Sequence, residues 1–583
     1  MTTWLSGREA RSLVVTGAAF AAVFLTLPIP TVGAAVVLVF GVLTLRPRVM
    51  IVVLLVMVSA RSSNAIEGLR PVATKPLSNV EVTLVADPRP GEGVWRGLAE
   101  IDGSVVMVEA RASSGASLSR GAPGDALRVS GSMKGSTPSS AWAISRRLVG
   151  RIDAAEIELV RLADGPRRWA TVLRDALREG ASSLDRNHQA LFTGLVFGDD
   201  REQSVVTADD FRASGLGHLL AVSGQNVVFV VGLAAPFLLR IRSLNVRYVA
   251  FLAVLVAFGF VTRFEPSVTR ALAMAALVGL AANRGSPRSA IDVLPTAVVA
   301  LLLVDPLLGF ALGFQLSVLA TLGLMIISPR LYERLPGPTA LRAGIAATAG
   351  AQLAVTPLLL VSFGTVSVLA VPANLLAGPG AGFVMMWGLT AGAIATVAPS
   401  AVAAVLHWPT AMVIRWIEAV ASAVASIPVA PVGLAHVVVL AIAWGVGARC
   451  PRRVRAGLVV LALLMPLAFP TSLAPGTHEL LPGLTLIRFE SGMDVVHLER
   501  TTGASSVLAE LRHANTGRID LLVVADGSRQ AGRLVRTITD RFDVVEIWAP
   551  PAHNIPGARV VADEPMAILE RAMPSSSDGE RAR

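Results

Sequence analysis

Hydrophobic residues in this chain are gathered into long runs that are separated by short, arginine-rich polar loops. A run of roughly 20 apolar residues is long enough to cross a bilayer as a helix. The pattern predicts about thirteen such segments, several of which are so short that they also fit half-helices or interfacial elements. Their approximate limits are 12–28, 31–45, 49–60, 217–240, 247–262, 266–282, 289–304, 307–327, 342–361, 380–398, 402–424, 433–448 and 456–470.

The pattern changes between the third and fourth runs. Residues 61–165 alternate short β-like stretches with Gly, Pro and Asp turns, which predicts a soluble β-barrel, and GDALRVSGSMKG resembles a strand of an OB-fold. Residues 166–192 fit one amphipathic helix that connects the barrel to the membrane. Four arginines lie towards the start of this helix and form either a solvated or lipid-headgroup face or a DNA contact: Arg167, Arg168, Arg174 and Arg178.

A second soluble region follows the last apolar run. LTLIRFE, MDVVHLE, IDLLVVAD and VVEIWAP fit buried strands, and SSVLAELRHAN and AGRLVRTITDRF fit helices, so residues 480–570 form a small α/β domain. Residues 571–583 are polar and predicted to be disordered. The fold class is therefore a polytopic α-helical membrane protein, with N-terminal transmembrane helices at 1–60, a transmembrane core at 193–470, an OB-like insert and an α/β domain.

Composition agrees with this class and charge orients it. Hydrophobic residues make up 53% and charged residues 16% of the 583 residues, and the mean hydropathy is +0.63, which excludes an ordinary soluble protein. The arginine clusters fall on alternate loops and mark the cytoplasmic side. We therefore expect a cell-membrane protein with a cytoplasmic N-terminus, and with residues 61–190 and the C-terminal domain outside. The clusters are Arg8/Arg11, Arg46/Arg48, Arg240/Arg242/Arg247, Arg284/Arg288, Arg330/Arg334/Arg342 and Arg449/Arg452/Arg453/Arg455.

Several polar side chains lie within or beside the apolar runs, where an uncompensated polar group is costly. They fit a wet path through the membrane, although each of them could instead bond to a neighbouring helix. The candidate path residues are His218, Ser223, Asn226, Arg270, Gln315, Gln352 and Asn374.

An ordered set of motifs lies in the same region. The set consists of GLVFGD at 194–199, FRASGLGHLLAVSGQN at 211–226, PSVTRA at 266–271 with Met274, Asp305-Pro306 with GFQLS at 313–317, Ala351-Gln352-Leu353 with Pro357, and PANLLAGP at 372–379. These motifs, in this order, resemble those of the ComEC family of competence proteins. The resemblance implies a channel for single-stranded DNA, with an OB-like domain at 61–165. It also implies partners: an external DNA receptor and a cytoplasmic helicase or strand-binding protein. A homo-oligomer is one alternative for the oligomeric state, which the sequence leaves open.

Signs of catalysis are weak. The chain has only two lysines, Lys75 and Lys134, and neither follows a glycine, so the GxxxxGK[ST] phosphate loop is absent. Ser223 with His218 is a poor nucleophile–base pair. Asp199 and Asp200 fit a turn or helix cap better than metal or base chemistry.

The α/β domain resembles the metallo-β-lactamase-like domain of many ComEC proteins, but its metal motif is degenerate. VADGSRQAGR at 524–533 occupies the place of SHxDxDHxGG, with Ala525, Gly527, Arg529 and Gln530 at the ligand positions. We therefore expect no metal, no cofactor and no enzymatic activity. The histidines His497, His513 and His553 are expected at the surface.

Uptake of single-stranded DNA is thus the function that the sequence favours. A secondary transporter or an export channel for another anionic substrate is the alternative, and a membrane hydrolase is the least favoured reading.

Overall fold

The computed structural model describes residues 59–91, 93–285, 290–427, 432–433, 473–500, 503–526, 528–549 and 557–560. Contacts divide the chain into two compact units. The first contains the described residues up to Glu202, together with His218–Leu358 and Asn374–Ile417. The second contains Gln203–Gly217, Leu359–Ala373 and the described residues from Glu418 onwards.

A β-barrel opens the first unit. Its elements are β1 (Lys75–Leu84), β2 (Arg89–Pro90), β3 (Trp95–Ile101), β4 (Ser104–Ala110), helix α1 (Ala112–Ser119), β5 (Ala126–Gly135), helix α2 (Ala141–Ser145) and β6 (Leu148–Arg161). The sheet order is β1-β5-β6-β4-β3-β2, and β1 also pairs with β3, so five strands close into a barrel. β4 runs parallel to β6, whereas the other pairs are antiparallel. This five-stranded barrel occupies the region for which the sequence predicts an OB-like domain.

Alternation of side chains explains how the barrel fills its interior. Successive residues of a strand point to opposite faces, and in β4 Val106, Val108 and Ala110 are buried while the residues between them are partly exposed. These side chains join a core that includes Leu84 and Leu127.

The segment predicted as one connecting helix at 166–192 is divided in the structure. Helix α3 (Gly165–Gly180) is followed by a 3-10 turn (Ala181–Ser183), and helix α4 (Arg186–Phe197) then begins. The prediction of a single helix was wrong because Asp185 is an N-cap: its side chain accepts a hydrogen bond from the backbone N–H of His188 at 3.0 Å.

Ten helices follow in chain order: α5 (Val205–Ala213), α6 (Gly224–Leu238), α7 (Leu244–Val261), α8 (Pro266–Asn283), α9 (Ala290–Val304), α10 (Leu312–Leu322), α11 (Ser328–Arg334), α12 (Thr339–Phe363), α13 (Ala370–Ala395) and α14 (Ser400–Ala425). A π-helical turn (Gly323–Ile327) joins α10 to α11. Within the first unit, α8 packs against α6, α7, α9 and α10.

Five helical segments of the described chain have the length and composition to cross a membrane: Leu244–Val261, Leu312–Arg334, Thr339–Phe363, Ala370–Ala395 and Ser400–Ala425. Gly224–Leu238 and Ala290–Val304 are apolar but shorter. The run predicted at 380–398 begins earlier, at Ala370, so PANLLAGP is helical despite its two prolines. The runs predicted at 12–28, 31–45, 49–60, 433–448 and 456–470 lie almost entirely outside the described residues, as does the tail at 571–583.

The second unit contains the α/β domain. Two short strands, β7 (Thr365–Val366) and β8 (Val432–Gly433), pair with each other. The main sheet has the order β14-β13-β12-β11-β10-β9, with β11 to β14 parallel and β9 to β11 antiparallel. Its elements are β9 (Gly476–Leu481), β10 (Leu484–Arg488), β11 (Asp494–Leu498), helix α15 (Ala504–His513), β12 (Arg518–Val524), helix α16 (Arg529–Arg541), β13 (Asp543–Ala549) and β14 (Arg559–Val560).

The expected surface position holds for one histidine of this domain and fails for another. His513, at the end of α15, is exposed, as expected. His497 is buried because it lies on β11, whose five residues are all buried. His553 lies outside the described residues.

Candidate translocation site

The start of α6 brings two of the predicted path residues together. Ser223 is the N-cap of α6, and its hydroxyl accepts from the backbone N–H of Gln225 at 3.3 Å and donates to Oδ1 of Asn226 at 3.3 Å. The Nδ2 of Asn226 donates to the carbonyl of Leu195 in α4 at 3.2 Å. The Ser223 hydroxyl is therefore engaged in ordering the helix start.

Arg270 on α8 reaches the same place. Its side chain is buried, with 6% of the residue exposed. Nε donates to Oγ of Ser317 on α10 at 2.7 Å, and Nη1 contacts Sδ of Met274 at 2.9 Å. A Cβ at Gly224 would lie 2.7 Å from Nη2 of Arg270, so the absence of a side chain lets the guanidinium approach the first turn of α6. The starts of α6 and α8 thus meet α10 around one positive charge.

Arg270 has no built-in counter-charge in the part of the chain that the structure describes. Its recorded contacts are a hydroxyl and a thioether, and none of the described carboxylates lies within 4.0 Å of it. The apolar runs at 12–58 and 434–470 contain no Asp or Glu that could supply one. Burial of a charge without an ionic partner costs several kcal/mol, so among the described residues Arg270 is a guanidinium whose charge is not offset by a carboxylate.

The other predicted path residues are more dispersed. Gln315, on α10, donates from Nε2 to the carbonyl of Gly309 at 2.7 Å. Its amide therefore stabilises the turn before α10 and is not joined to Arg270. Gln352 lies half-buried on α12, Asn374 lies half-buried on α13, and His218 lies exposed in a 3-10 turn (Gly217–Leu219).

The GLVFGD motif forms a different kind of site, at the end of α4. Gly198 has φ of +76°, and its N–H bonds to the carbonyl of Gly194 at 3.0 Å. A Cβ at Gly198 would lie 2.5 Å from the side chain of Val222. Glycine is therefore required for both conformation and space, and this turn directs the carboxylate of Asp199 into the protein, where the residue is 4% exposed.

Asp199 is the centre of a group of buried and half-buried charges that we call the Asp199 cluster: Asp87, Arg174, Arg178, Asp199, Arg201 and Arg263. Arg201 binds Asp199 through two nitrogens, each at 2.7 Å. Arg178 lies 2.5 Å and Arg174 3.2 Å from Oδ2 of Asp199.

Asp87 extends this cluster to the barrel, because it lies in the loop after β1. Arg174 contacts its carboxylate at 3.2 Å and Arg263, just after α7, at 3.4 Å. The cluster therefore joins the barrel to α3, to the end of α4 and to the end of α7.

Both carboxylates of the cluster are held in the charged form. Burial would raise the pKa of Asp199, but the hydrogen bonds and charge of Arg201 and the charges of Arg174 and Arg178 hold the pKa well below its ordinary value. The pKa of Asp87 is also lowered, since Arg174 and Arg263 outweigh its burial. A carboxylate with such a low pKa is a poor general base at neutral pH.

These contacts correct one prediction and extend another. Arg174 and Arg178 were expected on a solvated, headgroup or DNA-contacting face, but the Arg174 side chain is only 5% exposed and both pair with Asp199. Asp199 was expected to form a turn or cap a helix: its Oδ1 accepts from the N–H of Arg201 at 3.4 Å, as in a turn, and the same carboxylate is also an ion-pair centre. The cap of the next helix, α5, is Ser204. Asp200 makes an exposed pair with Arg89 at 3.2 Å.

Sequence reasoning missed other members of these sites. Ser317 lies within the GFQLS motif and Gly224 within SGQN, so the motifs themselves carried a signal for both. No motif pointed to Asp87, Arg201 or Arg263. Asp87 and Arg263 pair with residues that are distant in sequence, and Arg201 is one charged residue among several in a polar loop.

The long apolar helices and the buried polar groups between them define a multi-pass membrane protein. Residues 195–453 match the family described as "Competence protein". The match covers the helices around Arg270 and the carboxylate of Asp199, and it confirms the resemblance that the motifs carry.

The chain is also similar to "ComE operon protein 3" of Bacillus subtilis (strain 168), with 30% identity over 262 residues. The similar region covers 44% of this chain and 33% of that protein, so the chain matches about a third of the relative's length. No solved structure matches the chain.

Proposed function

We propose that this protein carries single-stranded DNA across the cytoplasmic membrane during natural transformation. The segment that matches the competence family supports a role in natural transformation, and the apolar helices support a place in the membrane. The observation that carries the proposal is Arg270, a buried guanidinium without a carboxylate partner among the described residues.

A DNA phosphodiester supplies what Arg270 lacks. A guanidinium forms charge-assisted hydrogen bonds with phosphate oxygens, which are stronger than bonds between neutral groups. A moving polyanion must also be released, so a channel needs sites that bind weakly and in succession. One arginine with a hydroxyl neighbour, Ser317, meets both needs: it offsets charge at one position without enclosing the strand.

The arrangement around this site completes the proposal. About thirteen spans cross the membrane, with the N-terminus cytoplasmic and with residues 61–190 and the α/β domain outside. An external receptor delivers DNA, and a cytoplasmic helicase or strand-binding protein pulls it inward. The chain itself carries out no chemical step, and it works as a single copy or as a homo-oligomer.

Uptake of labelled DNA tests the role of Arg270. In a naturally transformable strain that carries only the variant, we expect Arg270→Leu to lower the DNA that enters the cytoplasm by about tenfold or more, the change given by roughly 1.4 kcal/mol of lost stabilisation. Arg270→Lys should retain part of the activity because it keeps the charge. Arg284→Leu, at the exposed end of the same helix, is the matched control and should transport normally.

The decisive outcome is uptake at equal abundance in the membrane. Normal uptake by Arg270→Leu would show that Arg270 is not part of the translocation path. Normal transformation of a strain that lacks the protein would remove the function, and loss of export of another anionic substrate in that strain would favour the alternative transporter.

A further inference from the structure

The second unit contains a short helix that depends on the α/β domain. Helix α5 has nine residues, too few to be stable alone in water. It lies in the competence-family segment, between Asp199 and the 3-10 turn that contains His218. Val205 and Val206, at its start, pack against the apolar core of the α/β domain. The position of α5 is therefore set by that domain.

Two arginines of the α/β domain contact the neighbouring aspartates of α5, Asp209 and Asp210. Asp209 pairs with Arg512 of α15, and its side chain is only 2% exposed. Arg541 of α16 lies 3.3 Å from Oδ1 of Asp210 and 3.9 Å from Oδ2 of Asp209. Since buried carboxylates are costly without partners, removal of either arginine would release the helix from the domain.

Arg541 makes one more contact, which links it to the end of α14. Its Nη2 donates to the carbonyl of Ala425, the last residue of α14, at 3.3 Å. Just after the C-terminal end of α5, Gly215 has φ of +78°, and a Cβ there would lie 2.4 Å from the Cβ of Ala370 at the start of α13. The segment that leads to the path residues is thus held at several points within this unit.

We propose that the α/β domain is a positioning clamp, in which Arg512 and Arg541 hold α5 and so fix the chain up to Gly217, the residue that precedes the His218–Asn226 segment in sequence. The clamp rests on the proposed function for its role in transport. It gives the domain a task that needs neither metal nor nuclease chemistry. Arg512 and Arg541 are positioning residues and do not touch the DNA.

Hydrogen exchange in the full chain, in lipid nanodiscs, tests the clamp directly. We expect Arg512→Ala and Arg541→Ala each to speed amide exchange over residues 205–217 by about tenfold. Arg536→Ala removes an exposed arginine from α16 that forms no ion pair with the described residues, and it should leave exchange unchanged. Arg512→Lys should fall between the two.

A double-mutant cycle separates a specific pair from general damage. Asp209→Asn combined with Arg512→Ala should be little worse than the stronger single variant, because both remove one interaction. Additive effects, or unchanged exchange in Arg512→Ala and Arg541→Ala, would refute the clamp whatever the uptake results are.

Uptake then tests the consequence for transport. Arg512→Ala should lower DNA uptake at normal abundance, whereas Arg536→Ala should not. Faster exchange with normal uptake would sink the positioning role. If the strain that lacks the protein transforms normally, the proposed function fails while the exchange data still decide the contact between α5 and the α/β domain.

Discussion

Arg174 of the Asp199 cluster and Arg270 are buried to a similar extent, and they differ in the groups that surround the guanidinium. Arg174, in the cluster, has a side chain that is 5% exposed and contacts both Asp87 and Asp199. Arg270 is 6% exposed and contacts Ser317 and Met274. The first charge is neutralised by the fold, and the second is not neutralised by any described residue.

This difference separates two uses of the same residue type within one membrane protein. Where the partner is built in, the arginine holds elements together, and its loss should appear as lost stability. Where no partner is built in, the residue costs stability. A bound anionic ligand would offset that cost, so loss of such an arginine should appear as lost transport.

The largest expected effect concerns the centre of the cluster. Asp199→Asn keeps the shape of the side chain but leaves Arg174, Arg178 and Arg201 facing a neutral group. We expect a loss of about 3–5 kcal/mol in stability, as is usual when one partner of a buried ion pair is removed. The midpoint of unfolding in detergent measures it. Asp200→Asn is the matched control, and its exposed pair with Arg89 should contribute at most about 1 kcal/mol.

A much smaller effect on stability is expected for Arg270→Leu. Because replacement of a poorly compensated buried charge by an apolar group is often neutral or stabilising, its unfolding midpoint should match or exceed that of the unmodified protein. A loss as large as that of Asp199→Asn would mean that Arg270 also holds the fold together, and the contrast between the two regions would disappear.

The smallest effect is expected from pH. The pKa values of Asp87 and Asp199 are lowered from 3.8 in the folded protein, so their contribution to stability is complete above that pH and is lost as the pH falls through the lower folded values. The unfolding midpoint of Asp199→Asn relative to the unmodified protein should therefore stay constant between about pH 8 and 5. A gap that narrows within this range would show that the cluster is less tightly paired than its geometry indicates.

Local pattern predicted several of the elements well, others only in part, and the contacts between them hardly at all. The apolar runs predicted the helices Thr339–Phe363 and Ser400–Ala425 to within a few residues. The break at Asp185 was missed because the apolar periodicity continues across it, and only the capping bond reveals the division. The run predicted at 380–398 starts ten residues later than the helix Ala370–Ala395, whose first part contains Pro372 and Pro379.

The two sites differ in how far the sequence could predict them. Arg270 stood out because a charge in an apolar run is rare, and its motif also contains Met274, which it contacts. The Asp199 cluster joins a barrel loop to residues that are 87 to 176 positions further along the chain. No periodicity or spacing encodes such pairs, so Asp87 and Arg263 could be found only from the fold.

The ion pairs of Asp87 also limit which fragment of the chain could be produced as an isolated barrel. A fragment of residues 61–190 contains every strand of the barrel, yet it would keep Asp87, Arg174 and Arg178 and lose Asp199, Arg201 and Arg263. Arg174 would then keep only Asp87 and Arg178 only Asp175, and the loop after β1 would lose half of its ionic contacts. A stable excised barrel accordingly needs either these arginines replaced or a boundary that lies well beyond the last strand.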